Sequence, residues 1–102
     1  MDIRDYNLPW MAIAERLIGT REGGNPTIVK WAKELGGSVG AYYTNDSIPW
    51  CGLFVAHCLY RAGVSIKEVD NPLWALDWAG FGDKTEPCFG AIMAFGRDGG
   101  GH

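Results

Sequence analysis

Cys51 follows Pro49 and Trp50 directly and opens the run CGLFVAHCLYRAG, which is almost wholly apolar. If Ser47 or Asp46 caps a helix here and Pro49 occupies its first turn, Cys51 lies in that turn, where unpaired N–H groups and the helix dipole favour an anion. A thiolate at such a place is a nucleophile, and the same free amides can hold the oxyanion of an attacked carbonyl. The competing reading is a small buried core residue, because cysteine is among the side chains most often packed inside. Position alone leaves both open.

A thiol hydrolase needs a base, and the chain has two histidines. His57 lies on the same predicted helix, roughly 120° round and 9 Å along from Cys51, beyond reach of its sulfur. The expectation for His57 is a partly buried residue hydrogen-bonded to a neighbour. His102 sits behind three glycines on another element, and closeness in space is what a dyad requires. If there is chemistry, His102 is the base; otherwise it is a disordered end. Cys58 and Cys88 open no helix and read as packing residues. Cys51 and Cys58 stand roughly 10 Å apart along the helix axis, too far for a disulfide. A Cys58–Cys88 bridge is possible, though the odd count of three favours free thiols. With no C-x-x-C pair, no metal site is expected.

The elements that must position these residues are mainly helical. Pro9 to Gly19 reads as a helix with Trp10, Ile13, Ala14, Leu17 and Ile18 on one stripe. A glycine-rich loop, 19-GTREGGN-25, leads to a second helix, PTIVKWAKELG, stopped by Gly36 and Gly37. Residues 38–50 hold turn formers and suit a shaped loop. The Cys51 helix spans roughly 49–62 and closes at Gly63, and Asn71-Pro72 begins a short fourth helix over LWALDWAGFG. Trp74 and Trp78, four apart on it, are expected in the core. Residues 89–97, FGAIMAFGR, read as a strand apolar on both faces and therefore central. Such a strand needs ladder partners on both sides, and nothing else in the chain reads as one. The expectation is the N-terminal part of one domain spanning 1–102, completed by further residues or by another polypeptide.

Composition sets the outer bounds. The 102 residues make one small domain that buries about two-thirds of its unfolded surface. A hydrophobic share of 47%, with five Trp, four Tyr and four Phe, is that of a folding chain. Nine basic against twelve acidic residues give a charge of −3 with no basic patch, so nucleic acid is not an expected partner. No segment has the apolar length of a membrane span, and MDIRDYNLPW lacks the pattern of a signal peptide. The product is expected to be made in the cytoplasm and to reach other compartments only through lysis or dedicated export.

The pattern Glu-Gly-Gly-Asn-Pro, then Tyr-x-x-Asp-x-x-Pro-Trp-Cys-Gly-x-Phe-Val, then Gly-Ala-Ile-x-x-Phe and Gly-Gly-Gly-His resembles the papain-like cell-wall peptidases and amidases of the NlpC and CHAP type. The likeness is to the branch common in phage and prophage genomes, such as endolysins, and runs from Pro9 to His102. It implies an α+β fold with N-terminal helices packed on a small antiparallel sheet, of which this chain holds the first strand or two. It further implies Cys51 as nucleophile, His102 as base, bacterial peptidoglycan as partner, hydrolysis of amide bonds in its peptide part, and no cofactor. The residue that orients the imidazole belongs on the following strand, which the chain does not include.

Around the site, Trp50 and Tyr43 are expected to wall a groove, and Asp46 to cap the helix or contact substrate. Glu22 and Asn25 sit in the glycine-rich loop, either bordering a cleft or simply solvated. Two other readings compete with hydrolysis. One is a catalytically incomplete relative that binds cell wall or serves as a structural piece of a phage particle or secretion system. The other keeps the papain-like site but passes the acyl group to an amine. Fold likeness alone does not separate them.

Overall fold

The computed structural model describes residues 8–23 and 26–102, and shows a mixed α+β chain of short helices with one small antiparallel hairpin. Helix α1 (Pro9–Arg16) begins where Pro9, which has no N–H to leave unpaired, takes the first helical position. The Leu8 carbonyl accepts from Met11 and Ala12 at 3.0 and 3.2 Å. The helix ends three residues before the expected Gly19, and residues 17–19 form a turn. Ile18 consequently leaves the apolar stripe and is 83% exposed.

Helix α2 (Thr27–Leu35) buries Ile28, Trp31 and Ala32, an i, i+3, i+4 stripe. Helix α3 (Gly37–Tyr42) follows at once, where a loop was expected. Its two glycines and its tyrosine are poor helix formers, so propensity does not predict it. Close packing against α2 does: a Cβ on Gly40 would stand 3.2 Å from the Ala32 carbonyl oxygen. Val39 and Tyr43 are thereby carried into the core.

Helix α4 (Cys51–Arg61) is the central element, because Leu53 joins the cluster of Ile28, Trp31, Ala32, Val39 and Tyr43 while Ala56 and Leu59 join Val69 and Trp78. It ends in a Schellman motif. Gly63, at φ 80°, lets Val64 donate to the Leu59 carbonyl at 2.9 Å and Gly63 to that of Tyr60 at 3.0 Å.

The expected fourth α-helix is a 3₁₀ helix, Ala75–Gly80, preceded by a turn. Trp78 is buried there as predicted. Trp74 is not: it stands just before the first 3₁₀ turn and is 54% exposed.

The expected central strand over 89–97 is a second correction. Only Gly96–Arg97 (β1) is in a strand, paired antiparallel with Gly100–Gly101 (β2) in the register Gly96↔Gly101 and Arg97↔Gly100. Phe95 and His102 extend this hairpin through mutual backbone bonds, the His102 N–H reaching the Phe95 carbonyl at 2.8 Å. Residues 91–95 are otherwise irregular, and Met93 and Phe95 are exposed. Among the described residues no other strand offers these a ladder. None of the described helices is long and apolar enough to cross a membrane.

Candidate functional site

Cys51 is the first residue of α4 and is exposed, with Trp50 as N-cap. Pro49 precedes the helix rather than lying in its first turn. No side chain caps this end, so the first-turn amides keep the free N–H groups that every helix start presents. The expected cap is corrected: the Asp46 carboxylate instead accepts from the Gly23 N–H at 2.8 Å, tying the glycine-rich loop to the turn before α4. Asn45 shapes that turn. Its side-chain oxygen accepts from the Ser47 N–H at 2.9 Å, and its carbonyl accepts from Ile48 at 3.1 Å.

Gly52 explains the Cys-Gly pair. A Cβ there would overlap the Pro72 carbonyl oxygen, with the Leu73 carbonyl group 3.2 Å away. The strap 70–76 therefore lies directly against the start of α4, an approach only glycine permits. At its other end the strap meets the hairpin, where a Cβ on Gly101 would stand 2.5 Å from Leu76 Cδ2. The residues beside Cys51 and His102 thus press on one strap.

His102 is exposed, with its ring 5.6 Å from that of Phe95. Among the described residues, no hydrogen bond joins the Cys51 thiol to the His102 imidazole. The structure brings their neighbours to one element and leaves the side chains unjoined.

His57 is buried and stacked on Trp31, with ring centroids 4.7 Å apart and planes 15° from parallel. The expected hydrogen bond is not formed: its Nδ1 has no partner, and Glu34 Oε1 is 3.9 Å away. Burial pushes the imidazole below its ordinary range, against the pull of the Glu34 carboxylate and assisted by Arg61. Trp31 also meets Trp50 at 6.1 Å and Phe54 at 6.0 Å, so Trp50 packs half-buried against the core.

Tyr43 is a correction as well. It is fully buried rather than walling a groove, and its hydroxyl donates to the Ile48 carbonyl at 2.8 Å. Burial, then the nearby carboxylates of Asp46 and Glu22, push its hydroxyl up to about 12. Glu22 is exposed, and Asn25 lies outside the described residues.

All three cysteines are free. Cys58 is buried, which pushes its thiol up to about 11, whereas Cys88 is exposed rather than packed as expected. No group of three or more His, Cys, Asp or Glu among the described residues is placed to hold a metal ion.

One feature escaped the sequence. Tyr42 and Trp74, both exposed, line a cleft of about 680 Å³ whose wall includes Pro49, two residues before Cys51. Finding it required knowing that α3 forms and that the turn before the 3₁₀ helix displays Trp74.

No protein-family model matches the chain, and comparison with curated proteins and with solved structures likewise gives no match.

Proposed function

We propose that this chain is a thiol-dependent peptidoglycan hydrolase of the papain-like NlpC/CHAP type, cutting amide bonds in the peptide part of the bacterial cell wall. The reading is carried by one observation: Cys51 stands exposed at the first position of an uncapped helix, held there by a glycine that seats the helix on the strap. Cys51 Sγ attacks the peptide carbonyl, and the first-turn amides steady the oxyanion. His102 takes the thiol proton and returns it to the departing amine, leaving a thioester. Water then cleaves the thioester, with the imidazole again accepting a proton, and the carboxylic acid leaves as free Cys51 is restored. No cofactor takes part. The protein acts on the wall after lysis or dedicated export, as a phage endolysin does.

The test is clearing of purified cell walls by the native gene product. Cys51→Ser is expected to abolish clearing while leaving the circular dichroism spectrum unchanged, and undiminished clearing by that variant would refute the proposal.

A second reading, a non-catalytic wall-binding or structural component, is favoured by the absence of a Cys51–His102 hydrogen bond. It predicts that His102→Ala leaves the rate of Cys51 alkylation unchanged. The hydrolase reading predicts a slower reaction in that variant.

A further inference from the structure

Exposed aromatic rings cost a folded chain hydration of apolar surface, and apolar surface gathered in one concavity is the ordinary lining of a ligand groove. Trp74 and Tyr42 are 54% and 65% exposed and line the same cleft of about 680 Å³. Its size is that of a small-ligand site, roughly 300–1,000 Å³.

Trp74 is firmly held. The Asn71 carbonyl accepts its N–H at 3.0 Å, Asn71 Oδ1 accepts from Leu73 at 3.2 Å, and the Asp77 carboxylate accepts from the Asn71 N–H at 3.0 Å. The chain at Tyr42 is fixed in turn by its neighbour Tyr43, buried and bonded to Ile48. Two rings are thus displayed on backbone that is already ordered, so a ligand meets them with little entropic cost.

Besides the two aromatic residues, the polar residues lining the cleft are Asp70, Asn71 and Ser38. Among the described residues, no hydrogen bond occupies the Asp70 carboxylate, the Asn71 NH₂ or the Ser38 hydroxyl. No Lys or Arg lines the cleft, and Asp70 disfavours an anion. A neutral ligand with both apolar faces and many hydroxyls fits this set. An extended peptide fits it poorly, because α3 and two turns form the walls and offer no strand edge for backbone pairing.

We infer that the Tyr42–Trp74 cleft binds a neutral glycan, an N-acetylhexosamine unit whose ring C–H faces meet the aromatic side chains while its hydroxyl and acetamido groups meet Asp70, Asn71 and Ser38. The inference rests on the proposed cell-wall reading, which selects the glycan strand of peptidoglycan among neutral sugars. With Pro49 in its wall, the cleft anchors the glycan beside the helix that carries Cys51.

The test is calorimetric titration of the full chain with the β-1,4-linked tetramer of N-acetylglucosamine, which has no peptide bond for Cys51 to cut. Binding is expected, weakened at least about tenfold by Trp74→Ala and by Tyr42→Ala, retained in part by Trp74→Phe, and unchanged by Tyr60→Ala, whose exposed ring lies outside the cleft. Absence of binding at millimolar sugar, unchanged binding by Trp74→Ala, or binding of a free stem peptide in place of the tetramer would overturn it. Wall clearing, measured separately, keeps the two claims apart: clearing without sugar binding sinks this inference alone, and sugar binding without clearing sinks the hydrolase reading alone.

Discussion

Replacing Gly52 by alanine opposes two effects of known size. Helix propensity favours alanine over glycine by about 1 kcal/mol in a helix interior, and by less in the first turn. Against this, the new Cβ would overlap the Pro72 carbonyl oxygen, and overpacking of this kind costs about 1–3 kcal/mol. That carbonyl also accepts from Trp78 Nε1 at 2.9 Å, and Trp78 is buried. Moving the strap to relieve the overlap therefore strains the bond of a buried indole, whose loss costs a further 1–3 kcal/mol or about that. Packing wins, and the net expectation is a loss of about 1–5 kcal/mol. In a domain of this size each kcal/mol corresponds to about 4–8 °C in Tm. Thermal unfolding followed by circular dichroism reads the difference. Gly80→Ala is the control, since no atom lies within 4 Å of a Cβ there, and its effect should be small. A Gly52→Ala protein as stable as the parent, or more so, would show that the strap is not seated on α4, and the explanation of the Cys-Gly pair would fall.

Three further outcomes follow from the same structure. Iodoacetamide should label exposed Cys51 and Cys88 in the native protein and spare Cys58, whose thiol is buried and pushed up to about 11; mass mapping of the labelled peptides checks this, and equal labelling of Cys58 contradicts the packing of α4. His57 is held neutral, its folded pKa lying below the unfolded value of about 6.5, so the unfolded chain takes the proton first. Its contribution is complete above about 6.5 and is lost as pH falls from there through the folded pKa; urea midpoints across that window should decline in the parent and decline less in His57→Phe. Tyr43→Phe leaves the Ile48 carbonyl without its donor and should cost about 1–3 kcal/mol in urea unfolding, whereas a neutral result would show that the Tyr43–Ile48 hydrogen bond does not hold the fold.

Where local pattern and tertiary demand agree, the sequence was readable. The apolar spacing of Ile28, Trp31 and Ala32 marks α2, and Gly63 marks the end of α4, because each is settled within a turn or two of its own residues. Cys51 at a helix start was legible for the same reason. Helix α3 was not, since contact with α2 rather than propensity makes it. The run 89–97 carries a strand's composition, yet composition says nothing of partners, and only the end that folds back as a hairpin is a strand. Asp46 has the chemistry of a cap and is drawn instead to the Gly23 N–H, a contact between residues far apart in sequence. Tyr43 and Trp74 exchanged their expected places, one buried and one exposed, because register at α3 and at the strap decides which ring faces inward.

The central claim is that Cys51 is the nucleophile of an amide hydrolase. Its most direct measurement is the release of new amino groups from purified peptidoglycan by the parent protein, Cys51→Ala and Cys88→Ala. Release by the parent and by Cys88→Ala, with none from Cys51→Ala, is the predicted result; release by Cys51→Ala at the parent's rate would contradict it.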